Sequence, residues 1–235
     1  MLEALRRELS HPIPEEYQEL AKAADIAPTA PSYGWSALDI LKNEALVKQL
    51  EKDESNEEIP TSIDEGNLTK LGKFLREHLN GDTLIDLGSG TQVFIPNLAK
   101  ALGAKRYIGV DIETTEHASR QGDFEKAVFR DDMLLFVSKL PDNYGSFFVA
   151  GAEDYSGEMT QEIYGPNVGD ADTVLHPSPY MEQLLKEIFR ATRRDGLLIL
   201  GANNTFPDPE KVGFKSVELK DSDQANMSTA IYTKE

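Results

Sequence analysis

Two acids and two glycines carry the first chemical signal. In "TLIDLGSGTQVF", residues 83–94, an apolar run ends near Asp86, and Gly88 and Gly90 follow with Ser89 between them. Glycines at a strand-to-helix turn let a ligand approach the backbone, and a helix start offers N–H groups that have no partner within the helix. Twenty-one positions beyond Gly90, Asp111 closes a second apolar run, "RYIGVDI". An acid at that place can accept hydrogen bonds from both hydroxyls of an adenosine ribose. The two stretches together point to an adenosine-containing ligand lying across two adjacent strands.

The choice is between a dinucleotide and S-adenosylmethionine. A dinucleotide fingerprint needs Gly or Ala at the sixth position of G-x-G-x-x-G, where Val93 stands, and Asp86 sits unfavourably close to a pyrophosphate. A cofactor with an amino group and a sulfonium welcomes that carboxylate. Gln92 occupies a position where a third glycine is common, and is expected at the helix start without blocking the ligand. Pro96 cannot donate an interior helix bond, so the helix is expected to begin irregularly or near Ile95.

From about residue 81 onward the chain resembles the class I S-adenosylmethionine-dependent methyltransferase family. "DLGSGT" is similar to that family's first motif and "GVDI" to its second; "FRDDMLLFVSKLPD" looks like the third strand and its sequel, and "LLKEIFRATRRDGLLILGA" like the helix, turn and fifth strand. "RRDG" stands where the family often has a Pro-Gly-Gly turn. The resemblance implies an α/β, Rossmann-like seven-stranded sandwich, mostly parallel, with an antiparallel C-terminal hairpin. It also implies S-adenosyl-L-methionine as cofactor. Asp86 would hold the amino group of the methionine moiety, Gly88, Ser89 and Gly90 would admit the cofactor, Asp111 would take the ribose, and Ile112 beside it would also contact the cofactor. Asp132 and Met133, with Asp131 as an alternative, would meet the adenine; Gly151 would follow the fourth strand at the cofactor's edge.

The elements that must position these residues are legible in the texture of the chain. After Thr83, short apolar runs ("TLIDL", "RYIGVDI", "KAVFR", "SFFVAGA", "GLLILGA") alternate with helix-like segments, which argues for a parallel sheet covered on both faces. "GFKSVELKD" and "NMSTAIYTK" follow one another without a helix and read as an edge hairpin. Residues 1–80 read as a helical N-terminal extension, a possible lid, and residues 81–235 as the cofactor-binding domain. In the extension, "PEEYQELAKAADI" starts at Pro14, "SALDILKNEALVKQLEKDE" follows a Ser36 cap, and a third helix spans about 64–80 despite Gly72 in its middle. Close packing at Gly72 would offset its helix penalty. "EKDESNEEIPTS" is a charged connector.

In the family, the segment after the fourth strand meets the methyl acceptor. Here it carries Glu153, Asp154, Tyr155, Tyr164, His176 and Tyr180; Tyr180 is a candidate substrate contact, and Tyr155 and His176 are candidates for proton acceptor or substrate contact, the alternative for these two being loop residues packed on the sheet's end. Tyr33 and Trp35, in the loop "APTAPSYGWS", are candidate acceptor contacts beneath a lid, the alternative again being plain packing. No Asn/Asp-Pro-Pro-aromatic sequence follows the fourth strand, which speaks against methylation of an exocyclic base amine or glutamine amide. "DIETTEH" lacks metal-ligand spacing and reads as a solvated helix face, so no metal is expected.

Composition bounds the partners. Forty-one acidic against twenty-four basic residues leave a net charge of −17, which repels polyanions, so neither nucleic acid nor an anionic membrane is an expected partner. The absence of cysteine and of a signal-type apolar run fits a cytoplasmic protein. Oligomeric state is not encoded in any feature of the sequence. The expected activity is methyl transfer to a small-molecule acceptor; the alternatives are a protein methyltransferase, for which the acidic surface could attract a basic tail, and a non-catalytic scaffold or regulatory subunit of the same fold.

Overall fold

The computed structural model describes residues 1–28, 37–52, 59–91, 93–149, 152–154, 159–162, 172–175, 177–201, 206–219 and 230–235. The chain starts with α1 (Leu2–Glu8) and α2 (Glu15–Ala23), the latter entered from Pro14 with two glutamates in its first turn. A short strand β1 (Ile26–Pro28) leads on to α3 (Ala37–Ile40) and α4 (Glu44–Leu50). The periodic run expected as one helix is thus broken in two. Asn43 caps a new helix by accepting from Ala45 N–H at 2.9 Å, while Leu41 bridges to Leu68 and Lys42 N–H reaches Asn67 C=O at 2.9 Å.

The helix expected over 64–80 is shortened from its start by the same contact. Residues Glu65–Asn67 form a 3-10 turn, and α5 (Lys70–Leu79) begins only after Thr69, whose hydroxyl accepts from Gly72 N–H at 3.1 Å. Gly72 has its reason here: a Cβ would run into the backbone carbonyl oxygen of Ile40 on α3. Close approach of the two helices offsets the poor helix propensity of glycine.

The sheet follows. Along the chain come β2 (Thr83–Leu87), α6 (Phe94–Ala101), β3 (Arg106–Asp111), β4 (His117–Gln121), β5 (Phe124–Arg130), α7 (Met133–Lys139), β6 (Ser146–Val149), β7 (Ala152–Asp154), β8 (Met159–Glu162), β9 (Asp172–Leu175), α8 (Pro179–Ala191), β10 (Leu197–Leu200), a 3-10 turn (Pro209–Val212), β11 (Lys215–Ser216) and β12 (Ala230–Thr233). The main sheet runs β11-β12-β10-β6-β2-β3-β5-β4. Its five central strands are parallel, and β12 closes antiparallel on β10 and β11 as the expected hairpin. Pro96 lies in the first turn of α6, where its missing N–H has no helical partner to lose, so the helix starts at Phe94, one residue from the expected place.

The eighth strand, β4, corrects the reading of "DIETTEH" as a helix face. His117 is the first residue of an edge strand paired antiparallel with β5. The chain leaves β3, passes over the carboxyl end of β5, descends as β4 and returns through the two-residue turn Gly122-Asp123, where Gly122 takes φ 60°. A β-hairpin therefore stands where regular alternation would place a helix.

Each face of the sheet has its own core. Ile85, Ile108, Phe129, Phe147 and Leu198 pack under α7 and α8 together with Leu5 of α1 and Tyr17 of α2. Leu84, Tyr107, Phe148 and Ile199 pack under α5 and α6 together with Ile40 and Leu50 of α3 and α4. The first 80 residues thus feed both cores. Apart from the main sheet, β1 pairs antiparallel with β7 in the register Ile26 with Asp154. Among the described residues, no helix is long and apolar enough to cross a membrane.

Candidate functional site

The chain direction reverses across the sheet at β2, whose two neighbours β3 and β6 are reached by connections running to opposite sides. In open parallel sheets, ligands bind at the carboxyl ends of the strands beside such a switch point. The glycine loop sits there. Gly88 and Gly90 take φ 78° and 54°, the left-handed region that favours glycine, and Gly88 N–H and Ser89 N–H both reach Val110 C=O on β3, at 2.9 and 3.2 Å. Around Gly90 a Cβ would meet nothing within 4 Å, so the loop is open to solvent on that side.

Asp111, at the end of β3, is joined directly to this loop. One carboxylate oxygen accepts from Gly90 N–H at 3.0 Å and the other from Glu113 N–H at 2.7 Å. Ile112, the next residue, is among the few large apolar side chains left exposed, and its carbonyl is tied to Arg130 Nε at 3.1 Å. Asp86 lies beneath the loop, fully buried, with Oδ2 accepting from the Tyr107 hydroxyl at 2.7 Å. Ser89 is also buried, and among the described residues its hydroxyl has no hydrogen-bond partner.

The acid after β5 has structural work. Asp132 caps α7 through Leu135 N–H at 3.0 Å and accepts from the Tyr180 hydroxyl at 3.0 Å. Burial pushes its carboxyl above the ordinary carboxylate value, and those two hydrogen bonds pull the other way. Its neighbour Asp131 pairs with Lys139 at 2.5 Å, and Met133 is buried in the core. Tyr180, named as an acceptor contact, is 1% exposed, and its hydroxyl ties the start of α8 to Asp132 and to Leu134 N–H at 3.3 Å.

The structure therefore gathers Asp86, Gly88, Ser89, Gly90, Asp111 and Ile112 at the ends of β2 and β3, with Asp132 and Met133 at the end of β5. Tyr33, Trp35, Gln92, Gly151, Tyr155, Tyr164 and His176 lie outside the described residues. Two pairings were not read from the sequence: Tyr107 was not singled out, and Tyr180 was named as an acceptor contact and not as the partner of Asp132. Nothing local marks them, since each meets its acid across elements, Tyr107 from the adjacent strand and Tyr180 from a helix 48 positions along the chain. Among the described residues, no group of three or more His, Asp or Glu is placed to hold a metal ion.

Setting the added edge strand β4 aside, the order is a parallel core with its switch at the first strand and an antiparallel C-terminal pair closing the far edge. This is the class I methyltransferase fold. No protein-family model matches the sequence, and no curated protein matches it. Solved structures with similarity to the chain include a Listeria monocytogenes protein described as an S-adenosylmethionine-dependent methyltransferase (14% identity, 67% of this chain and 92% of that one, TM-score 0.37). An S-adenosylmethionine-dependent methyltransferase from Mesorhizobium loti is similar at 14% identity over 56% of this chain and 52% of that one, with TM-score 0.32. The antibiotic-resistance methyltransferase Kmr is similar at 14% identity over 71% and 94%, with TM-score 0.36. The methyltransferase fold assigned to this chain rests on its own strand order and register.

Proposed function

We propose that this methyltransferase-fold protein transfers the methyl group of S-adenosylmethionine to a small-molecule acceptor. The observation that carries the cofactor half is the Asp111 carboxylate bound to Gly90 N–H, which couples the ribose-type acid of β3 to an open glycine loop at the switch point. The remaining donors fit the same ligand. Asp86 is an acid for an ammonium group, the unpartnered Ser89 hydroxyl is a polar group at the loop, and Ile112 offers an exposed apolar face for a purine ring. Asp132 keeps lone pairs beyond its two hydrogen bonds and can accept from an adenine amino group. Ile112 suits the ring face better than the buried Met133 does.

When bound, S-adenosylmethionine supplies an electrophilic methyl on a sulfonium. The chain's share is alignment and exclusion of water, and a base is needed only for an acceptor that arrives protonated. The β1–β7 ladder supports a small acceptor. Ala152 stands three residues beyond Val149 of β6, hence within about 11 Å of it, and β1 is paired alongside. Paired backbone this near the end of β6 leaves less room for a polymer than for a small molecule. The net charge of −17 weighs in the same direction against RNA.

Calorimetry with S-adenosyl-L-homocysteine on the folded protein tests the cofactor half, and absence of binding refutes it. For the acceptor, tritium from methyl-labelled S-adenosylmethionine should move into the low-molecular-weight fraction of a cell extract. Label retained only in protein or RNA would refute the small-molecule reading.

A further inference from the structure

Asp86 and Gly109 are register partners on the parallel strands β2 and β3, so their side-chain positions share one face of the sheet, and Tyr107, two residues before Gly109, shares it too. Tyr107 is itself the partner of Leu84, yet its hydroxyl reaches Asp86 Oδ2 at 2.7 Å. The ring must therefore lean about 6.7 Å along the strand, one full pleat repeat, past position 109. Glycine clears that path: a Cβ at 109 would lie 3.3 Å from Tyr107 Cε1 and 2.8 Å from Ser89 Oγ. Gly109 of "GVDI" therefore leaves the room that the Tyr107 ring takes on its way to Asp86, with the Ser89 hydroxyl beside the same position.

Both members of the pair are enclosed, Asp86 at 0% and Tyr107 at 1% exposure. A carboxylate taken out of water is costly without donors, and its orientation is set by the donors it has. We infer that Tyr107 is a positioning residue: its hydroxyl holds the Asp86 carboxylate in the orientation that receives the ammonium group of an amino-acid-bearing adenosine thioether. This rests on the cofactor reading above and adds a residue to it. Tyr107 touches no part of the ligand and acts only through Asp86, so its removal should be felt by the amino-acid end of the ligand and not by the nucleoside end.

The test compares S-adenosyl-L-homocysteine with 5′-deoxy-5′-methylthioadenosine, which has the nucleoside and sulfur but no amino-acid group. Tyr107→Phe should weaken S-adenosyl-L-homocysteine binding roughly tenfold or more, the scale of a hydrogen bond to a charged group, and leave the shorter ligand within about twofold. In an Asp86→Asn background the same substitution should change neither affinity further. Equal weakening of both ligands, or a full Tyr107 effect persisting without the Asp86 charge, overturns the inference. Should Tyr107→Phe fail to fold, 13Cζ-tyrosine resonances of the wild-type protein carry the test: the Tyr107 signal should shift with S-adenosyl-L-homocysteine and stay with the shorter ligand. The absence of that difference overturns the positioning role alone, whereas a wild-type protein that binds neither ligand overturns the cofactor reading with it.

Discussion

Asp111→Asn separates a ligand-binding role for the acid of β3 from a purely structural one. In the structure both carboxylate oxygens accept from backbone N–H groups, Gly90 at 3.0 Å and Glu113 at 2.7 Å. An amide of the same shape has one acceptor and one donor, so one of the two N–H groups must face an NH2 group. Gly90 is exposed, and water can take over there, so the cost to folding should stay below about 1 kcal/mol, or about 4 °C in Tm for a chain of this size. The cost to an adenosine ligand is larger. Losing one hydrogen bond between a ribose hydroxyl and a charged acceptor is worth about 1.5–3 kcal/mol, or a roughly 10- to 150-fold rise in Kd. Because the ribose is common to both ligands, S-adenosyl-L-homocysteine and methylthioadenosine should weaken together, unlike the split expected at Tyr107. Titration calorimetry on both ligands, with thermal denaturation alongside, reads the two costs separately. Unchanged affinity with a Tm drop well beyond 4 °C would assign Asp111 to the loop's stability and refute the ribose contact.

Three stability predictions follow from other contacts. Gly72→Ala should lower the urea midpoint although alanine is the better helix former by about 1 kcal/mol: the new methyl meets the Ile40 carbonyl, which also accepts from Thr69 N–H at 3.0 Å, and overpacking against backbone costs about 1–3 kcal/mol. A raised midpoint would contradict the close α3–α5 approach. Ser146→Ala should cost about 2 kcal/mol or more, because the buried hydroxyl donates to Asp82 Oδ2 at 2.6 Å and accepts from Leu197 N–H at 3.1 Å, with Arg193 Nε 2.7 Å from the same Asp82 oxygen; an unchanged Tm would show that these groups rearrange freely. At alkaline pH, Tyr17 ties α2 to α8 through Glu187 at 2.8 Å, and burial, then that hydrogen bond, pushes its phenol up to about 12. The folded state keeps this proton longer than the unfolded one, so the contribution is complete below the free phenol's value near 10 and is lost as pH rises through about 12. Tyr17→Phe should flatten that part of the stability profile, and a variant with the wild-type slope would contradict the coupling.

What could be read from the sequence, and what could not, divides by the range over which each feature is encoded. The parallel strands are continuous apolar runs because both faces are covered, and the glycine loop and Asp111 sit at fixed offsets from strand ends, so local pattern reveals them. β4 escaped because "HASRQ" presents only Ala118 to a core, and an edge strand that is polar on one face has no apolar run to display; the Gly122-Asp123 hairpin turn was its one local mark. The α3–α4 break escaped because apolar spacing runs on through Asn43, and a cap inside a periodic stretch is visible only once Leu41 is seen pairing with Leu68.

The same distinction explains why the proposed cofactor end of the site is legible and the proposed acceptor end is not. Groups that would meet the nucleoside lie at strand ends whose sequence positions are set by strand length, so each can be named from one stretch of chain. The groups that orient them come from elsewhere: Tyr107 reaches Asp86 only in the register that places Gly109 opposite it, and Tyr180 reaches Asp132 only because α8 packs on α7. The proposed acceptor end involves a longer connection still, the ladder that pairs Ile26 with Asp154. No local spacing encodes a pairing over that separation. On the proposed function, substitutions that loosen β1 from β7 should therefore alter which acceptor is labelled while leaving the affinity for S-adenosyl-L-homocysteine unchanged, and a parallel loss of both would refute the placement of the acceptor at this ladder.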